Sequence, residues 1–218
     1  MLKKLFHKIL DMLFPRSCAG CNTPNTVLCD KCIADLPPAG NTEDIDIVSV
    51  FDYRNETIKK TIWLLKYKGS RDVGRKIAGA VHDRLLEELH ERSIFSNFHD
   101  PILIPIPLSK KRAKARGFNQ SEIIAREMSF IDNCSSFTLA TNVLYKTKDT
   151  PSQVSIKNRE KRLRNLKGCF FVKAPLRVKN RSIILIDDIT TTGATISEAR
   201  ETLLAAGARN VIAFTVAH

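Results

Sequence analysis

An apolar run that ends in two adjacent acids constrains the fold of this chain most. Residues 183–186 read Ile-Ile-Leu-Ile, and they are followed by Asp187, Asp188 and a turn of threonine and glycine. A continuous apolar run is typical of a parallel strand that is covered on both faces. A helix is predicted directly after the turn. Strand, turn and helix in this order indicate an α/β sheet with parallel strands.

The periodicity of the remaining chain supports the same class. Strands are predicted over 45–51, 101–107, 181–186 and 211–216, and helices over 55–67, 73–90, 119–129 and 197–206. A polar turn is expected at 109–112. Gly69 and Gly207 follow predicted helices, where glycine commonly ends a helix.

The turn after the acids has the composition of a phosphate site. Ligands are expected to bind at the carboxyl edge of such a sheet, and a glycine lets backbone N–H groups at a helix N-terminus approach a phosphate. Carboxylates accept hydrogen bonds, which suits sugar hydroxyls or a hydrated Mg²⁺. An ordinary capped strand–turn–helix is the alternative. The candidate ligand-binding residues are Asp187, Asp188, Thr191, Thr192, Gly193, Ala194 and Thr195.

Four cysteines near the start of the chain predict a structural zinc site. Cys18-x2-Cys21-x7-Cys29-x2-Cys32 supplies two thiolate pairs, which together complete one tetrahedral ion. A redox role for one pair is the alternative. A positive φ is expected at Gly20. About 40 residues cannot build a core alone, so the metal is expected to support folding. We therefore expect two domains, residues 1–40 and 41–218.

Residues 1–14 have the spacing of an amphipathic helix. Charged residues interrupt its apolar positions, so it does not fit a secretion signal, and no apolar run is long enough for a transmembrane anchor. Packing on the cysteine module is the first interpretation, and contact with a membrane surface or a partner is the second. We expect a cytoplasmic protein, with a peripheral position at the inner face of the membrane as the alternative.

The positive charge is concentrated in one third of the sequence. The whole chain has 35 Lys and Arg against 23 Asp and Glu, whereas residues 110–181 have 18 against 5. Such a block indicates a polyanionic or phosphate-rich ligand, with a solvated loop region as the alternative. Candidate nucleic-acid contacts are Arg112, Lys114, Arg116, Phe118, Arg159, Lys161, Arg162 and Arg164. Phe118 is the candidate stacking platform, whereas Phe170 and Phe171 are assigned to a strand core.

The chain resembles the ComF family of competence-associated proteins, and its Asp-Asp loop resembles the phosphoribosyl pyrophosphate (PRPP) signature of type I phosphoribosyltransferases. The resemblance rests on the four cysteines, 105–108 (Pro-Ile-Pro-Leu), 116–120 (Arg-Gly-Phe-Asn-Gln), 150–153 (Thr-Pro-Ser-Gln), Arg162, Asn165 and the Asp-Asp loop. It implies a type I phosphoribosyltransferase-like fold, with a mainly parallel sheet, flanking helices and a small N-terminal zinc-binding module.

The resemblance also implies residue roles. Residues 191–195 would hold the 5′-phosphate of PRPP, and Asp187 and Asp188 would hold the ribose hydroxyls. The turn with Ser109 and Lys110 takes the place of the pyrophosphate loop, and 150–167 that of a flexible loop. Mg²⁺ would accompany PRPP. Thr191 departs from the purine enzymes, which have an aspartate there to assist with the proton of the base.

Two functions of different class follow from these observations. The first is a protein of DNA uptake and natural transformation that binds PRPP or a related ribose phosphate and single-stranded DNA. The alternative is an active phosphoribosyltransferase that transfers ribose 5-phosphate to a base or an amine in nucleotide metabolism. Either protein could use its N-terminal module to reach other DNA-uptake proteins, such as a helicase or a membrane channel.

Overall fold

A five-stranded parallel sheet forms the frame of the protein. In a computed structural model, which describes residues 17–40, 42, 44–95, 98–133, 135–149 and 167–218, its strand order is β1-β7-β6-β2-β3. An antiparallel pair, β4 and β5, lies apart from it. The strands are β1 (Ile47–Phe51), β2 (Ile102–Pro105), β3 (Thr138–Leu139), β4 (Leu144–Lys146), β5 (Phe170–Val172), β6 (Ser182–Ile189) and β7 (Asn210–Ala217).

Helices flank the sheet, so the expected fold class is confirmed. They are α1 (Asp30–Ala34), α2 (Glu56–Trp63), α3 (Arg71–Phe95), α4 (Lys110–Arg116), α5 (Gln120–Asp132) and α6 (Ala194–Ala205). A π-helical turn, Leu64–Lys68, continues α2 and ends at Gly69 with φ 57°. Asn55 caps α2, because its side chain accepts hydrogen bonds from two backbone N–H groups of the first turn.

Several expectations lie outside the described residues. These are the helix over 1–14, residues 150–166 of the flexible loop predicted over 150–167, and the basic candidates Arg159, Lys161, Arg162 and Arg164. They stay predictions, as does the domain boundary at residue 40.

The predicted turn at 109–112 is wrong, because these residues begin helix α4. The Ser109 side chain accepts a hydrogen bond from the Arg112 N–H at 3.3 Å and so caps the helix. The sequence from Lys110 to Arg116 contains only Lys, Arg and Ala, which are all good helix formers. The high charge of these residues favoured the prediction of a loop, but their intrinsic helix propensity agrees with the observed helix.

The sheet separates two hydrophobic cores, which explains the near-continuous apolar run in β6. Ile184 and Ile186 pack in the core that contains residues of α2, α3 and α5. Ile183 and Leu185 pack in the core that contains α6 and the β4–β5 pair. Since successive side chains of a strand point to opposite faces, both sets are buried.

The cysteine module packs directly on the first of these cores. Leu28 is fully buried, and Leu36 belongs to the same cluster as Phe51 of β1. An isolated antiparallel bridge joins Pro38 to Phe51. The segment after the cysteines, residues 36–40, therefore contacts the larger domain. Among the described helices, none is long and apolar enough to cross a lipid bilayer.

Two glycines of α3 provide a matched test of the packing between α3 and α5. A Cβ at Gly74 would lie 2.6 Å from Ile123 Cγ2 of α5, whereas a Cβ at Gly79 would meet nothing within 4 Å. Gly79→Ala is expected to raise the free energy of unfolding by about 0.5–1 kcal/mol through helix propensity. Gly74→Ala is expected to lower it, because overpacking costs about 1–3 kcal/mol. Chemical denaturation measures the free energy of unfolding of both variants. Equal changes in Gly74→Ala and Gly79→Ala would contradict the close contact between α3 and α5.

Candidate functional site

The two acids lie within β6 and not at an exposed strand end. The strand continues through both residues because its pairing with β7 extends to Ile189. Asp188 is 4% exposed, and Asp187 is partly buried. Asp188 is therefore a buried carboxylate of the strand, although the sequence places it just after the apolar run. Replacing Asp188 would therefore disturb packed surroundings as well as the candidate site.

Different partners hold the two carboxylates. Asp187 Oδ1 accepts hydrogen bonds from Ser121 Oγ and from the Asp188 N–H, each at 2.8 Å. Asp188 Oδ1 accepts the Ile189 N–H at 2.8 Å. Its Oδ2 lies 3.2 Å from Lys66 Nζ in the π-helical turn, but the geometry is that of an ion pair and not of a hydrogen bond.

This arrangement leaves an acceptor-rich site at the edge of the sheet. Burial, and next the charge of Asp188, raise the pKa of Asp187 to about 7, against the opposing effects of the Ser121 hydrogen bond and Lys66. Groups that donate hydrogen bonds, or a cation, would stabilise the ionised form. Sugar hydroxyls and Mg²⁺ both meet this requirement.

The turn after the acids exposes a helix N-terminus. Helix α6 begins at Ala194 with Gly193 as its N-cap, and no side chain caps it. Gly193 has φ 69°, and its N–H donates to Thr190 Oγ1 at 3.2 Å, which fixes the turn. A Cβ at Gly193 would lie 3.1 Å from Ile47 Cδ1, so both conformation and space favour glycine here. Backbone N–H groups in this position suit an anion.

Thr192 adds an independent sign of a ligand. Its Oγ1 is buried and makes no hydrogen bond with any described residue. A buried hydroxyl without a partner is costly and therefore uncommon. Thr191 is exposed, and Thr195 lies in the first turn of α6. The structure thus places residues 191–195 together on the same edge as the acids.

The segment with Ser109 and Lys110, which is expected to bind pyrophosphate, already contacts a carboxylate of the chain itself. Ser109 Oγ donates to Asp149 Oδ1 at 2.6 Å, which, against the effect of burial, lowers the pKa of Asp149. Lys111 Nζ and Arg112 Nε lie 3.8 Å and 3.7 Å from the same carboxylate. Lys110 is exposed. A pyrophosphate bound here would compete with Asp149.

The described nucleic-acid candidates share one short region, α4 and the turn after it. Lys114 is exposed, and Arg116 Cζ lies 5.9 Å from the centre of the Tyr67 ring. Phe118 is half-buried and packs so closely on Gly69 that a Cβ there would lie 2.8 Å from its ring. The ring is therefore a packing residue on one side, which limits its use as a stacking platform.

Sequence reasoning missed four residues of this edge, which are Lys66, Ser121, Lys146 and Asp149. Lys146 is desolvated in β4, and this burial lowers its pKa while the charge of Asp187 opposes the shift. No local pattern connects these residues with the acids, because the fold alone joins such distant segments. A search for polar residues on predicted helices would have found Lys66 without identifying its partner.

The four cysteines form a cluster that could hold one metal ion such as zinc. Their sulfurs all lie within 4.8 Å of one another, and Cys29 Sγ is 3.7 Å from both Cys18 Sγ and Cys21 Sγ. Four sulfurs at about 2.3 Å from one ion would be about 3.8 Å apart in a tetrahedron. Hydrogen bonding with Cys29 and Cys21 raises the pKa of Cys32 to about 12, because it favours the protonated Cys32 thiol over its thiolate.

Gly20 serves this cluster through its small size. The expected positive φ at Gly20 is wrong, and the positive φ values of the loop are at Asn22 (61°) and Asn25 (63°). A Cβ at Gly20 would lie 2.8 Å from Cys32 Sγ. Glycine is therefore needed to let the second thiolate pair approach the first.

Comparison with known proteins adds a family and several relatives. The family model for the phosphoribosyl transferase domain matches residues 77–218. DNA utilization protein YhgH of Escherichia coli O157:H7 is 29% identical over 89% of this chain and 80% of its own. Competence protein ComFC of Bacillus subtilis (strain 168) is 30% identical over 77% of this chain and 62% of its own.

A solved hypoxanthine phosphoribosyltransferase from Staphylococcus aureus is also similar. It covers 67% of this chain at 11% identity, with a TM-score of 0.36. This chain covers 63% of that enzyme, which is less than two thirds of its length.

Removing one thiolate tests the metal centre. Cys29→Ser is expected to reduce bound zinc from one ion per chain to a small fraction, because three thiolates hold the metal far more weakly. The loss of a tightly bound ion should also lower the free energy of unfolding by about 3 kcal/mol or more. Elemental analysis and denaturation measure the two effects, with Cys134→Ser as the cysteine control. Full zinc content in Cys29→Ser would contradict the shared site.

Proposed function

The chain belongs to the phosphoribosyl transferase domain family, and from this premise we propose that it binds PRPP or a related ribose 5-phosphate at the end of β6. Its relatives are named for DNA utilization and competence, which supports a family role in DNA uptake. We propose that this role is the handling of single-stranded DNA in natural transformation. The resemblance to the ComF family agrees with both parts.

The observation that carries the proposal is the uncapped start of α6 beside Thr192. The backbone N–H groups at this end carry the partial positive charge of the helix. The buried Thr192 hydroxyl has no partner among the described residues. A phosphate bound at residues 191–195 would accept hydrogen bonds from these backbone N–H groups and from the Thr192 hydroxyl. It would thereby supply the partners that both kinds of donor lack.

The adjacent acids would hold the sugar. A phosphate at the turn would place the attached ribose beside β6, where Asp187 and Asp188 lie. Carboxylates are the acceptors that vicinal hydroxyls require. PRPP carries several negative charges, and Mg²⁺, which prefers oxygen ligands, would reduce its repulsion from these acids.

PRPP binding alone is favoured over phosphoribosyl transfer to a purine. The purine enzymes have a proton acceptor for the base at one position, and this chain lacks it there. Thr191 stands at that position, and its hydroxyl cannot act as a base near neutral pH. Transfer to an amine would not need that base, so an active phosphoribosyltransferase is the alternative. Pyrophosphate release in the presence of bases and amines distinguishes the two.

Zinc at the four cysteines would be structural, since four thiolates leave no open position for water. Reduced cysteines are typical of the cytoplasm, where we place the protein. The N-terminal module would face other DNA-uptake proteins, for example a helicase or a membrane channel.

The Thr192 hydroxyl allows binding to be separated from stability. Thr192→Val is expected to leave the free energy of unfolding unchanged or raise it by about 1–3 kcal/mol, because it removes a buried hydroxyl without a partner. The same change should weaken PRPP·Mg²⁺ binding about 10- to 100-fold, since a hydrogen bond to a charged group is lost. Calorimetric titration measures the affinity.

Thr202→Val is the matched control, because its hydroxyl donates to the Glu198 carbonyl within the same helix at 2.8 Å. It should leave the PRPP affinity unchanged. Equal PRPP affinity in Thr192→Val and the wild type would contradict the site.

The affinity for single-stranded DNA is expected to fall steeply with salt. The logarithm of the binding constant should decrease with the logarithm of salt concentration by roughly 0.7 for each phosphate contacted. Fluorescence anisotropy of a labelled oligo(dT) at several salt concentrations measures this slope. A flat dependence, or no binding at low salt, would rule out the nucleic-acid part of the proposal.

A further inference from the structure

An exposed pair of aromatic rings lies where α2 passes into the π-helical turn, outside the proposed ligand site. Trp63 is 50% exposed and Tyr67 is 63% exposed, and their ring centres are 5.6 Å apart. Lys68 Nζ lies 5.9 Å from the Trp63 ring, and Arg116 Cζ lies 5.9 Å from the Tyr67 ring. We call these four residues the aromatic platform.

A cavity continues the platform toward the cysteine module. It has a volume of about 470 Å³ and is lined in part by Trp63, Lys59, Lys60 and Asn22. The size suits one nucleobase, since pockets for small molecules start at roughly 300 Å³. Lys59 pairs with Glu56 at 2.7 Å, so its charge is partly neutralised.

We propose that the aromatic platform is a base-stacking site for single-stranded DNA. One base would stack on Trp63 at the mouth of the cavity, and the next would stack on Tyr67. Lys68 and Arg116 would contact the backbone phosphates that flank these two bases. This inference rests on the single-stranded DNA binding proposed above, and it locates that binding on residues other than Phe118.

The chemistry of the surface favours this ligand. Stacking of bases on aromatic rings beside cations is the recurring way in which proteins bind single strands without sequence preference. Residues 59–68 contain four lysines and no acid, so the local charge is complementary to phosphate. Duplex DNA cannot present its base faces to a ring, whereas a single strand can.

The platform can be observed directly, because Trp63 is the only tryptophan of the chain. Oligo(dT) is expected to quench the tryptophan fluorescence at the same concentrations at which it raises the anisotropy of a labelled strand. An abasic oligonucleotide of equal length carries the same phosphates and should bind without quenching. Binding of oligo(dT) with unchanged tryptophan emission would overturn the stacking site.

Variants test the contribution of each ring to affinity. Trp63→Ala and Tyr67→Ala should each weaken oligo(dT) binding about 5- to 150-fold, as expected for the loss of one stacked base. Trp63→Phe keeps a ring and should restore most of the affinity, which guards against an effect of misfolding. Phe130→Ala removes a ring that is 81% exposed on α5, and it should have no effect.

The outcomes separate this inference from the proposed function. Absence of oligo(dT) binding by the wild type would overturn both. Binding that is equal in the wild type, Trp63→Ala and Tyr67→Ala would overturn the platform alone and leave DNA binding to α4. Self-association that depends on Trp63, measured by light scattering without DNA, would assign the surface to a second copy of the chain and overturn the platform.

Discussion

Two adjacent carboxylates at the end of one buried strand are the constraint on which the rest of the structure depends. Their charges repel each other in a partly desolvated environment, and each carboxylate is stabilised by a different neighbouring side chain. Ser121 comes from the start of α5, and Lys66 comes from the π-helical turn. A π-helical turn places one more residue per turn than an α-helix, and such turns are frequent at functional sites. Here it brings Lys66 to Asp188.

The same five-residue turn serves two surfaces. Lys66 contacts the ligand edge of the sheet, whereas Tyr67 and Lys68 belong to the aromatic platform. The proposed site for a ribose phosphate and the proposed surface for single-stranded DNA are therefore neighbours along the backbone. The cysteine module completes this surface, because the cavity beside Trp63 is lined by Cys18 and its neighbours.

Much of this organisation could be predicted from local pattern. The apolar run before Asp187 identified the central strand, and the cysteine spacing identified a cluster that the structure brings together. Local sequence pattern did not predict features that depend on tertiary packing, such as the length of β6 and the burial of Phe118. The strand extends through the acids because β7 pairs alongside them, and Phe118 is covered by a distant glycine. The roles of Lys66 and Asp149 could not be predicted, because each contacts a partner far away in sequence.

The most direct test of the central claim is a crystal structure of the full chain soaked with PRPP and Mg²⁺. We expect the 5′-phosphate to lie on the backbone N–H groups of residues 191–195, within hydrogen-bond distance of Thr192 Oγ1. The ribose hydroxyls are expected to contact the carboxylates of Asp187 and Asp188. Density for PRPP at another place, or no PRPP at a turn that stays accessible in the crystal, would rule out this binding site.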